Sequence, residues 1–318
     1  MTNRLYIIGN GFDLHHKLKT EYVDFANYLK MNDKELYKTL KKYISFPKKD
    51  KKLWSNFETN LANLDAKSIL INCSFLLPDF SKEELRPQDR EVFPSLMEEY
   101  LNNMTIGLIE NFQNFIIDVV VPGTSKVHII DLDKNAKFLS FNYTNTLELL
   151  YNIDKEKINY IHNSAHYGSE EIVLGHGINP ENFEETLPEP PDDIEFEDLE
   201  KWYSQNVYWE YSYSTGKETI MKYFFKNYKP TKTIIELNQS FFTDLESINE
   251  IYILGHSLSE VDLPYFRKIV ESVSHSTKWL VSYLYNSEKI TPLNTLTNLG
   301  IDRNKITLFR LKEIQINN

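Results

Sequence analysis

The chain has 318 residues, 41% hydrophobic and 14% aromatic, enough to bury a sizeable core in one large or two modest domains. Its net charge is −11, but Glu181 to Glu200 alone holds ten acidic residues and no Lys or Arg. The remainder is close to neutral, which argues against a basic groove for nucleic acid and against a globally acidic surface.

One cysteine, Cys73, excludes intramolecular disulfides and a Cys-based structural zinc site. No apolar run approaches the roughly 18 residues that a membrane span needs. The first residues are polar and lead into a strand rather than a secretory signal. Together these features predict a cytoplasmic protein without membrane attachment.

In chain order, Leu5 to Ile8 reads as a buried strand that breaks on Gly9-Asn10-Gly11. Leu14 to Leu29 follows as a helix, with Tyr22, Phe25, Ala26 and Leu29 on one apolar face. Asp33 to Ile44 continues the helical pattern. Seven lysines among residues 38–52 form a weakly basic patch, read chiefly as a solvated helix end and loop. Trp54, Phe57, Leu61 and Leu64 define another amphipathic helix, with Glu58 on it as either a surface carboxylate or a site member. After a proline-broken loop, Ser95 to Val120 carries apolar residues at burial spacing, and Pro122-Gly123 ends the block. Residues 30–121 therefore read as a helical insertion behind the first strand.

The pattern then alternates. Strands are predicted at Lys137–Phe141, Ile158–His162, Ile172–Leu174, Glu250–Gly255, Trp279–Tyr285 and Ile306–Phe309. Helices are predicted at Tyr143–Tyr151, Lys201–Asn206, Lys217–Asn227, Thr231–Leu245, Leu263–Val273 and Thr291–Leu299. Residues 181–230 form an acidic loop and helical excursion. Short strands separated by helices indicate an α/β fold, a parallel sheet covered on both faces, here as a single domain over 1–318.

Ligands bind such sheets outside the carboxyl ends of the strands. Three predicted strands end in small, polar or ionisable residues: Gly9-Asn10-Gly11-Phe12-Asp13, Asn142-Tyr143-Thr144, and Gly255-His256-Ser257. A fourth ends at His162. A glycine turn between a strand and a helix suits a phosphate, because backbone N–H groups and the helix dipole meet there; a tight turn that merely ends a strand is the plainer reading. Asp13 is either a ligand-binding acceptor or the cap of the following helix. His15 and His16 face either solvent or the ligand mouth. His162 is a site residue or a satisfied structural histidine, and His176, between Gly175 and Gly177, is its rival or companion. Tyr143 and Trp54 read as core. Clustered Asp and His residues also leave open a metal-dependent phosphoesterase or nuclease.

The segments YIIGNGFDLHHKLKTEYVDF, WSNFE, FLSFNYTNTLE, YIH, LGHGIN and IYILGHSLSEVDLPYF together resemble the bacteriophage abortive-infection AbiH family. The same series is similar to the SIR2-like NAD-binding proteins, which implies a Rossmann-like sheet with a large helical insertion. The resemblance implies antiphage defence through cleavage of the nicotinamide N-glycosidic bond of NAD, with no metal. It assigns Asn142 and His162 to the chemistry. It assigns Gly9, Asn10, Gly11, Phe12, Asp13, Thr144, His176, Gly255, His256 and Ser257 to binding the dinucleotide. SIR2-like proteins usually carry Asp at the position of Thr144 and Gly at that of Asn163, so a catalytically silent NAD or ADP-ribose sensor is the alternative. A homo-oligomer or a partner protein of a defence system is expected to supply the switch.

Overall fold

The computed structural model describes residues 3–314 apart from 45–55, 80, 82–85, 121–127, 167, 185–188, 192 and 207–209. Trp54, four of the seven patch lysines, the Pro122-Gly123 break and part of the acidic stretch lie outside the described residues.

Six parallel strands form one sheet: β1 (Arg4–Ile8), β2 (Lys137–Ser140), β3 (Ile158–Tyr160), β4 (Glu250–Leu254), β5 (Lys278–Ser282) and β6 (Ile306–Phe309), in the order β3-β2-β1-β4-β5-β6. β1 lies between β2 and β4, with Ile8 beside Ser140 on one side and Leu254 on the other. The chain winds outward from β1 to β3, then returns to begin β4 on the opposite side. That reversal opens a crevice at the carboxyl ends of β1 and β4, the topological switch point of a doubly wound sheet.

Helices are α1 (Asn10–His15), α2 (Tyr22–Asn32), α3 (Lys34–Tyr43), α4 (Phe57–Asn60), α5 (Ala66–Cys73), α6 (Val92–Asn102), α7 (Leu108–Phe115), α8 (Thr146–Tyr151), α9 (Phe196–Asn206), α10 (Tyr211–Lys226), α11 (Thr231–Leu237), α12 (Gln239–Thr243), α13 (Leu263–Ser272) and α14 (Ile290–Asn298). Strand residues alternate between two cores, as a two-residue side-chain period requires. Leu5, Ile7, Leu139, Ile251 and Ile253 pack with Tyr265, Phe266 and Ile269 of α13 and with Leu296 of α14. Tyr6, Ile8, Phe138 and Leu254 pack on the other face with Phe12, Leu147, Leu150 and Tyr151.

A third core belongs to the helical block. It draws Phe25, Phe57, Met97, Leu108 and Phe112 from the first half of the chain and Ile220, Tyr223 and Phe224 of α10 from the second. α10 is therefore part of the block, and Gly216 lets it approach α6: a Cβ there would lie 2.5 Å from the Phe93 ring.

Several sequence expectations change, among them the helix expected over Thr231–Leu245, which breaks at Asn238 into α11 and α12. The helix predicted over Leu14–Leu29 is two helices, because Lys17 adopts φ +64° and the Leu18 N–H turns back to the carbonyl of Asp13. The strand predicted at Ile172–Leu174 does not join the sheet. Its side chains Ile172 and Leu174 face the block core, and the Val173 N–H is bonded to the His162 carbonyl at 2.9 Å.

Candidate functional site

The two glycine turns meet across the crevice. The Gly9 N–H donates to the Leu254 carbonyl at 3.0 Å, the Gly11 N–H to Gly255 at 2.7 Å, and the Phe12 N–H to Gly9 at 2.8 Å. A Cβ on Gly9 would lie 2.5 Å from the Cα of His256, and one on Gly255, at φ +68°, would lie 2.1 Å from the Phe12 nitrogen. Only glycine permits backbones this close. Two of the donors expected for a pyrophosphate, the Gly9 and Gly11 N–H groups, are thus engaged within the protein in this state. Asn10 and Ser257 are exposed at the rim, and the Asn10 side chain donates to the Thr20 carbonyl.

Asp13 is not a helix cap. α1 begins at Asn10 with Gly9 before it, so Asp13 sits inside the helix and points into the protein, 1% exposed. Thr144 donates to its Oδ2 at 2.6 Å, and Thr146 donates to Thr144 at 2.9 Å. Burial raises the Asp13 carboxyl to about 6, against the pull of those hydroxyls. Beside it, Asn142 is buried and its Nδ2 donates to the Gly9 carbonyl at 3.1 Å, tying the end of β2 to the first turn.

A second polar cluster fills the same edge on the side of the helical block. Lys229, in the turn after α10, is 1% exposed, and its ammonium lies 2.5 Å from Glu58 of α4. Tyr22 and Tyr143 also donate toward Glu58, the latter at 3.0 Å. Asp262, just before α13, lies 3.8 Å from Lys229, 3.9 Å from His162 Nε2 and 3.5 Å from His256 Nε2. His256 Nδ1 accepts from the Leu258 N–H at 2.9 Å, which leaves the proton of the neutral ring on Nε2, toward Asp262.

Burial, aided by the nearby Lys229 ammonium, holds His162 neutral, its pKa well below the ordinary imidazole range. Burial likewise lowers His256. Burial works against ionisation of both Lys229 and Asp262, yet each stays charged. Glu58 and Asp262 more than offset it for Lys229, and the Lys229 ammonium, with the Ser259 hydroxyl, does so for Asp262. The His162 ring is enclosed by Phe141, Tyr143 and Tyr265, with centroids 5.4, 6.3 and 5.5 Å away.

The structure brings Asn142, His162, His256, Asp13 and Thr144 to one edge of the sheet, and separates His176 and His16 from the charged cluster. His176 exchanges backbone hydrogen bonds with Asn227 and Lys229, both 2.8 Å, and its ring lies against Phe183 and Tyr228. Gly175 makes that pairing possible, since a Cβ there would lie 2.2 Å from the Asn227 carbonyl oxygen. His16 is fully buried between the Phe12 carbonyl at 2.7 Å and the Tyr151 hydroxyl at 2.6 Å. His15 meets the His128 carbonyl at 2.9 Å. Lys229 and Asp262 escaped the sequence reading. Asp262 lay in the recognised segment ending VDLPYF, whereas a single lysine before Pro230 carries no pattern. Among the described residues, no three His, Cys, Asp or Glu side chains converge as a metal-binding set.

A doubly wound α/β sheet with a buried ionisable cluster at its switch point, roofed by a helical block, defines the class of protein. The particular family follows from the sequence match: residues 5–283 fit the model of the bacteriophage abortive infection AbiH proteins, and the chain belongs to that family. Membership places it among antiphage abortive-infection proteins. No curated protein and no solved structure matches it. Among the described residues, no helix is long and apolar enough to cross a membrane.

Proposed function

We propose that this chain is a cytoplasmic abortive-infection effector that cleaves the N-glycosidic bond between nicotinamide and ribose in NAD. The observation that carries the reading is His162: a buried imidazole held neutral, its Nε2 without a hydrogen-bond partner, two residues beyond β3 and on the same sheet edge as Asn142. A neutral imidazole takes a proton from water, and an Asn amide holds a ribose hydroxyl without adding charge. The likeness of the motif series to SIR2-like proteins supports the same assignment.

Asn142, His162 and His256 are covered in this state, and the Gly9 and Gly11 donors are engaged. The proposal therefore includes a closed resting form. The helical block, which contributes Glu58, and the Lys229 turn move to admit the dinucleotide. A second copy, a partner protein or a phage component supplies the trigger. Cleavage that depletes NAD has to be restrained in an uninfected cell, and a closed site provides that restraint.

The test is incubation of purified protein with NAD, with and without EDTA, followed by chromatography for nicotinamide, repeated with extracts of infected cells. Metal-independent nicotinamide release is expected. The engagement of Thr144 with Asp13 favours a second reading, a silent sensor. It would raise its melting temperature with NAD or ADP-ribose and release no nicotinamide under either condition. EDTA-sensitive breakdown of nucleic acid would point to a metal-dependent phosphoesterase instead.

A further inference from the structure

Two buried polar atoms face each other without touching. His162 Nε2 and Asp262 Oδ1 are 3.9 Å apart, and neither has a hydrogen-bond partner. Buried polar atoms are rarely left unsatisfied, because doing so costs the desolvation of each group. The other carboxylate oxygen is different: Asp262 Oδ2 accepts from the Ser259 hydroxyl at 2.8 Å and faces His256 Nε2 at 3.5 Å. Oδ1 is thus the oxygen of Asp262 without a hydrogen bond, and it lies between the open nitrogen of His162 and the Lys229 ammonium, which is 3.8 Å away.

We propose that His162 Nε2 and Asp262 Oδ1 together hold the attacking water of the glycosidic cleavage, which makes Asp262 a further catalytic residue; the inference rests on the NAD-cleavage reading. A separation of 3.9 Å is too long for a direct hydrogen bond and suits one oxygen about 2.8 Å from each atom. Both atoms are acceptors: the neutral His162 ring gives its one N–H, on Nδ1, to the Phe141 carbonyl, which leaves Nε2 bare, and the carboxylate is ionised. The water must then donate both of its protons to them, which leaves its lone pairs free to point at an electrophile. In the step, a lone pair forms the bond from the water oxygen to ribose C1′. The C1′–N bond breaks, its electron pair passing to the ring nitrogen and neutralising the pyridinium. The water proton goes to His162, and the products are ADP-ribose and nicotinamide.

The groups that face His162 are Asp262 before α13, His256 after β4, Lys229 after α10, Tyr143 after β2 and Tyr265 of α13. Asp262→Asn turns an obligate acceptor into a side chain that can donate, at nearly constant volume.

Two measurements test the proposal. In the first, nicotinamide release by wild type and Asp262→Asn is followed across pH, with folding checked by circular dichroism and NAD binding by thermal shift. Loss of at least about 100-fold in rate with binding retained is the expected result. An unchanged rate and pH profile overturns the role of Asp262 and leaves NAD cleavage standing. In the second, a high-resolution crystal structure of the wild-type chain is expected to show an ordered water within hydrogen-bonding distance of both atoms. Direct contact between the two, or no oxygen shared by them, overturns the proposal even if Asp262→Asn fails to fold. Absence of nicotinamide release from wild type sinks the NAD reading, and with it the catalytic role, whatever the crystal shows.

Discussion

The ammonium of Lys229 and the carboxylate of Glu58 lie 2.5 Å apart, joining the turn after α10 to the helix α4. Lys229 is the cation of a buried group that holds two carboxylates, Glu58 and Asp262. Lys229→Met is expected to destabilise the fold by about 3–5 kcal/mol, because it strands both carboxylates away from a countercharge. Glu58→Gln with Lys229→Met should cost clearly less than the sum of the single changes. Urea denaturation of all four chains of the double-mutant cycle measures the coupling, and additivity would contradict a direct pair.

Asn142→Ala and His162→Ala are expected to abolish NAD loss in infected cells while leaving the protein folded and expressed. Extract chromatography for NAD reads this directly. Wild-type depletion by both variants would remove the site from this edge of the sheet.

Asp13 opposes stability at neutral pH. Its carboxyl titrates at about 6 in the fold against an ordinary 3.8, so the folded state binds the extra proton between those values and ionisation is penalised above them. Asp13→Asn is expected to stabilise the fold at pH 8 by about 3 kcal/mol. The advantage should shrink as pH falls through 6 and vanish below about 4, where wild-type Asp13 is protonated in both states. Chemical denaturation of the pair at pH 8, 6 and 4 checks the sign. A gain in stability with a loss of function would mark the strain as serving the site.

His16 has the opposite dependence. Its carbonyl partner, Phe12, can only accept, so Nδ1 carries the proton and Nε2 accepts from Tyr151. Burial lowers its pKa to about 4 from 6.5. The folded state therefore binds fewer protons than the unfolded one between those values. The stability this contributes is complete above 6.5 and is lost as pH falls, with about 2 kcal/mol gone by pH 5. His16→Gln should show a flatter stability profile between pH 8 and 5 than wild type.

Gly255 and Gly300 both adopt positive φ, +68° and +95°, yet they should not respond alike to alanine. A Cβ at Gly300 meets nothing within 4 Å, so Gly300→Ala pays backbone strain alone, about 1 kcal/mol. A Cβ at Gly255 runs into the backbone of Gly11 and Phe12. Gly255→Ala should therefore separate the two turns and cost several times more. Thermal melts of the two variants test the contrast.

The sheet could be read from the chain because each strand that joined it is a short apolar run closed by a turn, and the alternation with helices fixed parallel pairing. Ile172–Leu174 misled for the same reason, since three apolar residues serve a helical core as well as a strand. The helix break at Lys17 left no trace in composition, because a lysine is not a residue that signals the left-handed conformation it adopts there. The ends of β2, β3 and β4 were marked by Asn142, His162 and His256, polar residues after apolar runs. Lys229 was not marked at all. It becomes part of the site through a backbone pairing with His176, and contacts between distant segments have no period to detect.

The position of β1 bears on when the proposed site can form. β1 is the first strand made, yet one of its two neighbours is β4, and Asp262 follows β4. While the ribosome is still short of residue 250, one whole flank of β1 has no strand to bond. Neither glycine turn then has its counterpart, and His162 has neither Asp262 nor His256. A nascent chain therefore carries no assembled site. Truncated products left by stalled or aborted translation would lack that site, so the NAD-cleavage proposal confines any toxicity to molecules that extend past β4.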